Sequence, residues 1–295
     1  MGITIRTIIP GGPRLGEGAL WDCGDQKLWW VDINAGIIHT YSPSDEAGES
    51  FDFGEPVGCI ARREQGGLVV AARSGFWFFD PYSGEKRHIA DPEADRPEHR
   101  FNDGVVDPEG RFWAGTMKDI GMREKSGRFY QLNTDLEIAG MDHTAYTTNG
   151  LAFSPDGGVM YFADTHKDLQ TIWSCGYDLR TGEVKEKQIF FNAVDVSGRP
   201  DGGTVDADGY YWMAGVGGWQ IYRLSPAGEV VLTLDVPVEK PTKPMFGGKD
   251  LDILYLTSIG FGLAEGSERD QPDAGGVLAI SGLGVRGIPQ YRFQG

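Results

Sequence analysis

The sequence predicts an all-β fold, a six-bladed β-propeller, on three observations. An apolar, often aromatic strand following a tight turn recurs six times, at spacings of roughly 40 to 51 residues, the period of four-stranded propeller blades. Forty-four glycines and 16 prolines are interspersed with apolar runs along the whole chain, which reads as many tight turns rather than disorder. No amphipathic helix of ordinary length interrupts the pattern.

The clearest copy spans residues 100–116. It reads as a short strand, a Pro108-Glu109-Gly110 turn and an aromatic-rich second strand, together a β-hairpin. Its second strand, 112–116, aligns with 28–32, 68–72, 160–164, 211–215 and 254–258. Turn signals precede the other copies at Gly24-Asp25, Gly66-Gly67, Asp156-Gly157-Gly158, Asp208-Gly209 and, more loosely, 247–250. Third strands read at 36–41, 75–79, 127–132 and 220–224. The opening stretch, 3–9, is a strand with no hairpin partner nearby. It is expected to pair into the last blade, closing the ring and hiding a sheet edge. Residues 42–50, 91–99 and 264–274 read as polar loops. None is long enough for a domain linker, so residues 1–295 read as one domain.

A net charge of −16 argues against a nucleic-acid partner, which needs a basic stripe to displace counterions. It also means that an anion would have to be caught by a local arginine or a metal. No stretch reaches the ~18 apolar residues of a membrane span. The N-terminus shows no signal-peptide core, and Arg6 stands where myristoylation requires Ser or Thr. Cys23, Cys59 and Cys175 are odd in number, far apart and without CxxC spacing. They read as buried free thiols of a cytoplasmic protein, neither a disulfide framework nor a zinc site. The sequence does not indicate an oligomeric state.

The first strand of each propeller blade lines the central channel. Ten or eleven residues before each aligned strand stand Glu17, the apolar Val57-Gly58 step, Asn102, Asn149, Asp201 and Lys243-Pro244. The repeat thus brings two carboxylates and two amides to one end of the channel. These are hard oxygen ligands suited to Ca²⁺, Mg²⁺ or Mn²⁺, and the absence of His or Cys speaks against a high-affinity zinc site. The competing reading is that Asn and Asp before Gly are turn formers, although Glu17 is a poor turn residue at the same offset. Arg100 lies two residues before Asn102, hence on the same face of an extended strand, where its guanidinium can fork onto hydroxyl or carboxylate oxygens of a substrate.

Other signals lead elsewhere. Gly282-x-Gly284-x-x-Gly287 has dinucleotide-fingerprint spacing but no βαβ context. Asp206-Ala207-Asp208-Gly209 starts like a calcium loop, lacks the later ligands and sits at a repeat turn. There is no Gly-x-Ser-x-Gly elbow and no HExxH. His39 and His143 read as structural, while His99 and His166 lie near channel-mouth loops without the signature of a base. Trp219, in a glycine-rich loop, is the aromatic placed to reach the mouth.

Leu15-Gly16-Glu17-Gly18-Ala19-Leu20-Trp21, Arg100-Phe101-Asn102-Asp103-Gly104, Thr148-Asn149-Gly150-Leu151, Pro200-Asp201-Gly202 and Phe246-Gly247-Gly248 stand in order along the chain. Gly275-Gly276-Val277 and Gly284-Val285-Arg286-Gly287 follow. Together they resemble the regucalcin/SMP-30/gluconolactonase family. The resemblance implies a six-bladed propeller with a divalent metal site at one end of the channel, and a sugar-acid lactone as substrate. It implies Glu17, Asn149 and Asp201 as metal ligands, Asp201 also as general base, and Arg100 and Asn102 as substrate contacts. Asp119, in Met117-Lys118-Asp119-Ile120, stands where the family places an acidic substrate contact, and Lys118 adds a cation suited to a carboxylate-bearing lactone. The implied cofactor is one divalent cation, Ca²⁺ first, with Zn²⁺, Mg²⁺, Mn²⁺ or Fe²⁺ compatible. The alternatives are a phosphoester or organophosphate hydrolase on the same scaffold, and a non-enzymatic calcium-binding propeller.

Overall fold

Each of the six repeats folds as a four-stranded antiparallel sheet in a computed structural model that describes residues 2–264 and 271–295. The chain opens with β1 (Thr4–Ile9) and then builds blade one from β2 (Gly16–Asp22), β3 (Lys27–Asp32), β4 (Ile37–Ser42) and β5 (Ala47–Asp52). Blade two is β6 (Val57–Arg62), β7 (Leu68–Ala72), β8 (Gly75–Phe79) and β9 (Lys86–Ala90). Blade three is β10 (His99–Val106), β11 (Phe112–Lys118), β12 (Gly127–Leu132) and β13 (Ile138–Ala145). Blade four is β14 (Thr148–Phe153), β15 (Val159–Asp164), β16 (Thr171–Asp178) and β17 (Glu183–Asn192). Blade five is β18 (Arg199–Val205), β19 (Tyr211–Val216), β20 (Gln220–Leu224) and β21 (Val230–Asp235). The last comprises β22 (Pro241–Gly247), β23 (Ile253–Ser258) and β24 (Val277–Ser281), with β1 as its outermost strand.

The expected closure is therefore observed: β1 pairs antiparallel with β24, Thr4 opposite Ser281. The innermost strands β2, β6, β10, β14, β18 and β22 touch in sequence around the ring. Among the described residues the single helical piece is a 3₁₀ turn at Ala193–Asp195. Among the described residues no helix is long and apolar enough to cross a membrane.

One sequence expectation needs correction here. The stretch read as a polar loop at 42–50 contains the start of β5, an outer strand exposed on both faces. Such a strand needs no apolar alternation, so its residues look like loop residues. The 91–99 stretch is a loop, but one tied down by a buried acid. Glu93 Oε1 accepts from the hydroxyls of Thr116 (2.8 Å) and Tyr130 (2.9 Å), and Oε2 lies 2.6 Å from Arg96 Nη2 and 3.0 Å from His99 Nδ1. This fixes the chain just where β10 begins. Of the expected loop 264–274, residues 265–270 lie outside the described residues.

The apolar core sits between adjacent blades. Phe76 and Phe78 of blade two meet Phe101, Phe112 and Leu132 of blade three, with the Phe76 and Phe101 rings 4.6 Å apart. Fully burying a side chain of this size is worth about 1.5–3 kcal/mol, so each blade interface contributes several such increments. A cavity of about 30 Å³, room for roughly one or two waters, lies among the inner strands, lined among others by Lys243 and by Ile288, Gln290 and Tyr291 of the C-terminal segment.

Candidate active site

In every blade the ladder between the innermost strand and its neighbour slips at one place. The breaks fall between Glu17 and Leu20, Val57 and Cys59, Phe101 and Gly104, Asn149 and Ala152, Pro200 and Gly203, and Pro241 and Pro244. A bulge leaves residues out of the ladder and re-aims their side chains. Gly18 (φ 60°) and Gly150 (φ 66°) supply the left-handed backbone at two of the six. In blade two the ring position is Gly58, where a Cβ would stand 2.3 Å from the carbonyl carbon of Phe101, so no side chain fits. The other five blades present Glu17, Asn102, Asn149, Asp201 and Lys243, all buried.

The charges at this end do not balance by direct pairing. Lys243 Nζ lies 2.9 and 3.2 Å from the two carboxylate oxygens of Asp103, which also accepts from Leu151 N at 2.9 Å. That ion pair spans the channel from blade three to blade six. Glu17 and Asp201 have no such partner. Glu17 Oε2 accepts only from Gly18 N, at 3.2 Å, and no hydrogen bond or ion pair to the Asp201 carboxylate is found among the described residues. Burial pushes Glu17 well above the usual carboxylate range, and the negative charges of Asp201 and Asp103 push it further, against Lys243. Burial and Asp103 raise Asp201 to about 8, with Arg199 and Lys243 opposing.

A hydrogen-bonded chain leads from Asn149 to the rim. Asn149 Nδ2 donates to Thr165 Oγ1 (2.7 Å), which turns its amide oxygen toward Asn102 Nδ2 at 3.0 Å. Asn102 Oδ1 accepts from Arg100 Nη1 at 2.8 Å, and Arg100 Nε stands 3.1 Å from Asp119 Oδ1. The second oxygen of Asp119 accepts from Arg73 Nη2. Burial raises the Asp119 carboxyl, but the two guanidiniums outweigh it and hold it below the usual range.

Among the described residues no group of three or more His, Cys, Asp or Glu is arranged to hold a metal. The donor set at the channel end is different: two carboxylates and one amide, oxygen throughout. Two buried carboxylates, Asp201 adding to the cost of ionising Glu17, with no Lys or Arg bonded to either among the described residues, fit a hard divalent ion, which prefers oxygen ligands.

Residues 15–260 match the family model for the SMP-30/gluconolactonase/LRE-like region. The chain belongs to this family. Within reach of the SMP-30/gluconolactonase/LRE-like match are relatives along the full chain. It is 35% identical over 295 residues to the 6-deoxy-6-sulfogluconolactonase of Pseudomonas putida, covering 100% of both chains. It is 32% identical over 295 residues to the regucalcin of Danio rerio, covering 99% of each. The solved regucalcin of Agrobacterium tumefaciens, described as a calcium-binding protein, superposes with a TM-score of 0.91 at 25% identity, covering 99% of this chain and 97% of that one.

All six candidate residues of this family member stand at one end of the propeller: Glu17, Asn149 and Asp201 on bulges of the inner strands, Asn102 beside Asn149, and Arg100 and Asp119 at the rim. Asn102, Asn149 and Asp201 stand at ladder bulges of the inner strands. The Asn-Asp-Gly, Asn-Gly and Asp-Gly runs are backbone devices inside a ladder, and their polar side chains are buried at the channel. Three residues carry more than the sequence reading gave them. Asp103 and Lys243 form the ion pair beneath the site, and Arg73 braces Asp119. Asp103 and Lys243 were visible in the motif and the offset, but their pairing across 140 positions was not. Arg73 follows β7 with no pattern around it.

Several expectations away from the site are settled as well. His99 is held by Glu93 and Ser126, and His166 stacks on Tyr146 with centroids 4.0 Å apart. Asp206 accepts from the backbone amides of Asp208 and Tyr210, as a turn residue does. The cysteines are free, but Cys23 is exposed rather than buried, since its turn projects from blade one. Trp219 is half-buried at φ 60° in its loop.

Proposed function

We propose that the protein hydrolyses the lactone of a sugar acid at this end of the channel, using one divalent cation held by Glu17, Asn149 and Asp201. The observation that carries the reading is the pair of buried carboxylates, Glu17 and Asp201, with no Lys or Arg bonded to either among the described residues, at the same ring position as Asn149, from which a polar chain leads to the rim. Family membership and the lactonase name of the Pseudomonas putida relative support it. A bound cation would polarise the lactone carbonyl and stabilise the developing oxyanion.

The chain's own groups do the rest. Water adds to the carbonyl carbon and the ring C–O bond breaks, giving a carboxylate and a hydroxyl. Asp201 takes the proton of the attacking water and returns it to the ring oxygen as the C–O bond breaks; a cation held by the same carboxylate would lower its base strength relative to the ion-free site. Arg100 and Asn102 hold ring hydroxyls so that attack is oriented. Asn102 has a second task, because the same amide donates to Asn149 and so couples substrate orientation to the cation cradle. Asp119 positions Arg100.

Asp201→Asn keeps size and removes the base. Turnover of the best lactone should fall by about 10²–10⁴ while the variant still melts cooperatively. Wild-type turnover in that variant removes Asp201 from the role.

A further inference from the structure

Thr165 directly follows β15 at the seam between blades four and five, and its backbone is clamped from both sides. Thr165 N donates to Thr147 O at 3.2 Å, and the next amide, His166 N, donates to Asp164 Oδ1 at 3.0 Å. Asp164 is fully buried and also accepts from Tyr146 N (2.8 Å) and Thr147 N (3.1 Å). The buried Thr165 hydroxyl is therefore held in place. It accepts from Asn149 Nδ2 at 2.7 Å and donates to Pro200 O, also at 2.7 Å.

The two ends of this chain fix its direction. A guanidinium has no acceptor, a backbone carbonyl has no donor, and a hydroxyl has one hydrogen. At one end Arg100 Nη1 must meet the Asn102 oxygen, at 2.8 Å. The two hydrogens of Asn102 Nδ2 then go to Thr148 O (2.9 Å) and Asn149 Oδ1 (3.0 Å). At the other end Pro200 O takes the hydrogen of Thr165, which is left to accept from Asn149 Nδ2. Turning the Asn149 amide over would set its N–H groups against those of Asn102. It would also leave one hydroxyl hydrogen between two acceptors, Pro200 O and the Asn149 oxygen. In the observed sense Asn149 Oδ1 accepts from Asn102 alone among the described residues, so one of its two lone pairs is open to a cation.

The same hydroxyl joins two of the bulges that carry the proposed ligands. Pro200 immediately precedes Asp201, so Thr165 ties the Asn149 side chain to the backbone that bears the Asp201 carboxylate. From blade five, Tyr211 Oη donates back to Gly150 O at 2.8 Å. A Cβ on Gly150 or Gly203 would stand 2.5 or 2.0 Å from that oxygen, so glycine on both bulges admits the tie. Tyr211 thus holds the backbone beside Asn149, and Thr165 holds its side chain.

We propose that Thr165 is a positioning residue for the cation cradle: its hydroxyl presents the Asn149 oxygen to the ion and fixes it relative to Asp201. This rests on the cradle of the lactonase reading, and not on which lactone is hydrolysed. Without the hydroxyl, Asn149 loses the acceptor that orients its amide and the buried Pro200 carbonyl loses its side-chain donor, so the ligand oxygen is no longer held for the ion.

The test is calorimetric titration of Ca²⁺, Mg²⁺, Mn²⁺ and Zn²⁺ into chelator-stripped wild type, Thr165→Val, Thr165→Ala and Thr165→Ser. Removing the partner that orients a metal ligand costs about 10- to 100-fold in affinity, so Kd should rise by that factor in the valine and alanine variants. Thr165→Ser keeps the hydroxyl and should stay within about threefold of wild type. A threonine that only fills space would give the opposite split, valine resembling wild type and serine, which lacks the methyl group, falling short. Equal Kd in wild type and Thr165→Val, or a Thr165→Ser defect as large as that of Thr165→Val, overturns the proposal. If Thr165→Val does not fold, Thr165→Ala against Thr165→Ser carries the same comparison. If wild type binds a cation but hydrolyses no lactone, the lactonase reading fails, and the binding comparison still decides the part of Thr165. Wild type that binds none of the four cations overturns both.

Discussion

Replacing Lys243 by Met should be among the most damaging single changes in the protein. Its ammonium and Asp103 are 3% and 1% exposed and 2.9 Å apart. Methionine fills similar space but leaves the Asp103 carboxylate with only Leu151 N, beside two other buried carboxylates, Glu17 and Asp201. Removing one partner of a buried pair costs about 3–5 kcal/mol. With a melting entropy of about 2.1 cal/mol/K per residue, a chain this long has an entropy change of about 0.6 kcal/mol/K, so the melting temperature should drop by about 5–8 °C. Asp103→Asn should cost a comparable amount by stranding the ammonium. The double variant Asp103→Asn/Lys243→Met should cost about 2–3 kcal/mol less than the two singles combined, because the Asn oxygen still accepts from Leu151 N and the Asp103 charge is gone along with its partner. Urea or thermal unfolding in a chelating buffer measures all four corners without a contribution from bound cation. A Lys243→Met loss below about 1 kcal/mol, or strict additivity in the double variant, refutes the reasoning.

The remaining predictions concern the cation, acid stability and ring closure. Saturating divalent cation at about 100 times its Kd should add about 2.7 kcal/mol to wild type, roughly 4 °C, and much less to Glu17→Gln; scanning calorimetry reads both. Asp22 accepts from Arg62 Nε (2.7 Å), Arg292 Nη2 (2.7 Å) and Gly24 N (2.9 Å); burial alone would raise it, but these partners hold it below the usual range. A depressed carboxyl stabilises the fold above its unfolded pKa of about 3.9 and loses that stabilisation as pH falls through the native value. The melting-temperature gap between wild type and Asp22→Asn should therefore be fully open above about pH 5 and close steadily below pH 4; a gap that is constant with pH contradicts the ion-pair assignment. Deleting residues 2–9 removes β1, its ladder with β24 and the partly buried Ile5, Ile8 and Ile9. At roughly half of 1.5–3 kcal/mol for each isoleucine, this should lower the melting temperature by about 5 °C and, by baring a sheet edge, increase aggregation seen by light scattering.

The fold was legible because propeller blades repeat. Second and third strands are buried and aromatic, so they align by eye, and the lone opening strand could be assigned to the last blade by asking what it would pair with. The outermost strands, β5 above all, were not legible: a strand exposed on both faces carries no alternation. At the site, the offset from each aligned strand found Glu17, Asn102, Asn149 and Asp201 because a bulge recurs at that offset in every blade. The resemblance added the roles of these residues and Asp119. What stayed hidden was contact made by ring closure rather than by repeat, Lys243 with Asp103 and Arg73 with Asp119. Neither pair has a local pattern, and each joins different blades. Glu93, an acid in a polar stretch, gave no sign that it is the buried anchor of four neighbours.

The most direct measurement is proton release during hydrolysis of a panel of aldono- and aldarolactones by protein stripped with chelator, then supplied with Ca²⁺, Mg²⁺, Mn²⁺ or Zn²⁺ in turn. Activity that vanishes on stripping and returns with one or more of these cations, and that does not return in Glu17→Gln or Asp201→Asn, is the expected result. Undiminished hydrolysis by fully stripped protein, or no hydrolysis of any lactone with any cation, contradicts a metal-dependent lactonase at this end of the channel.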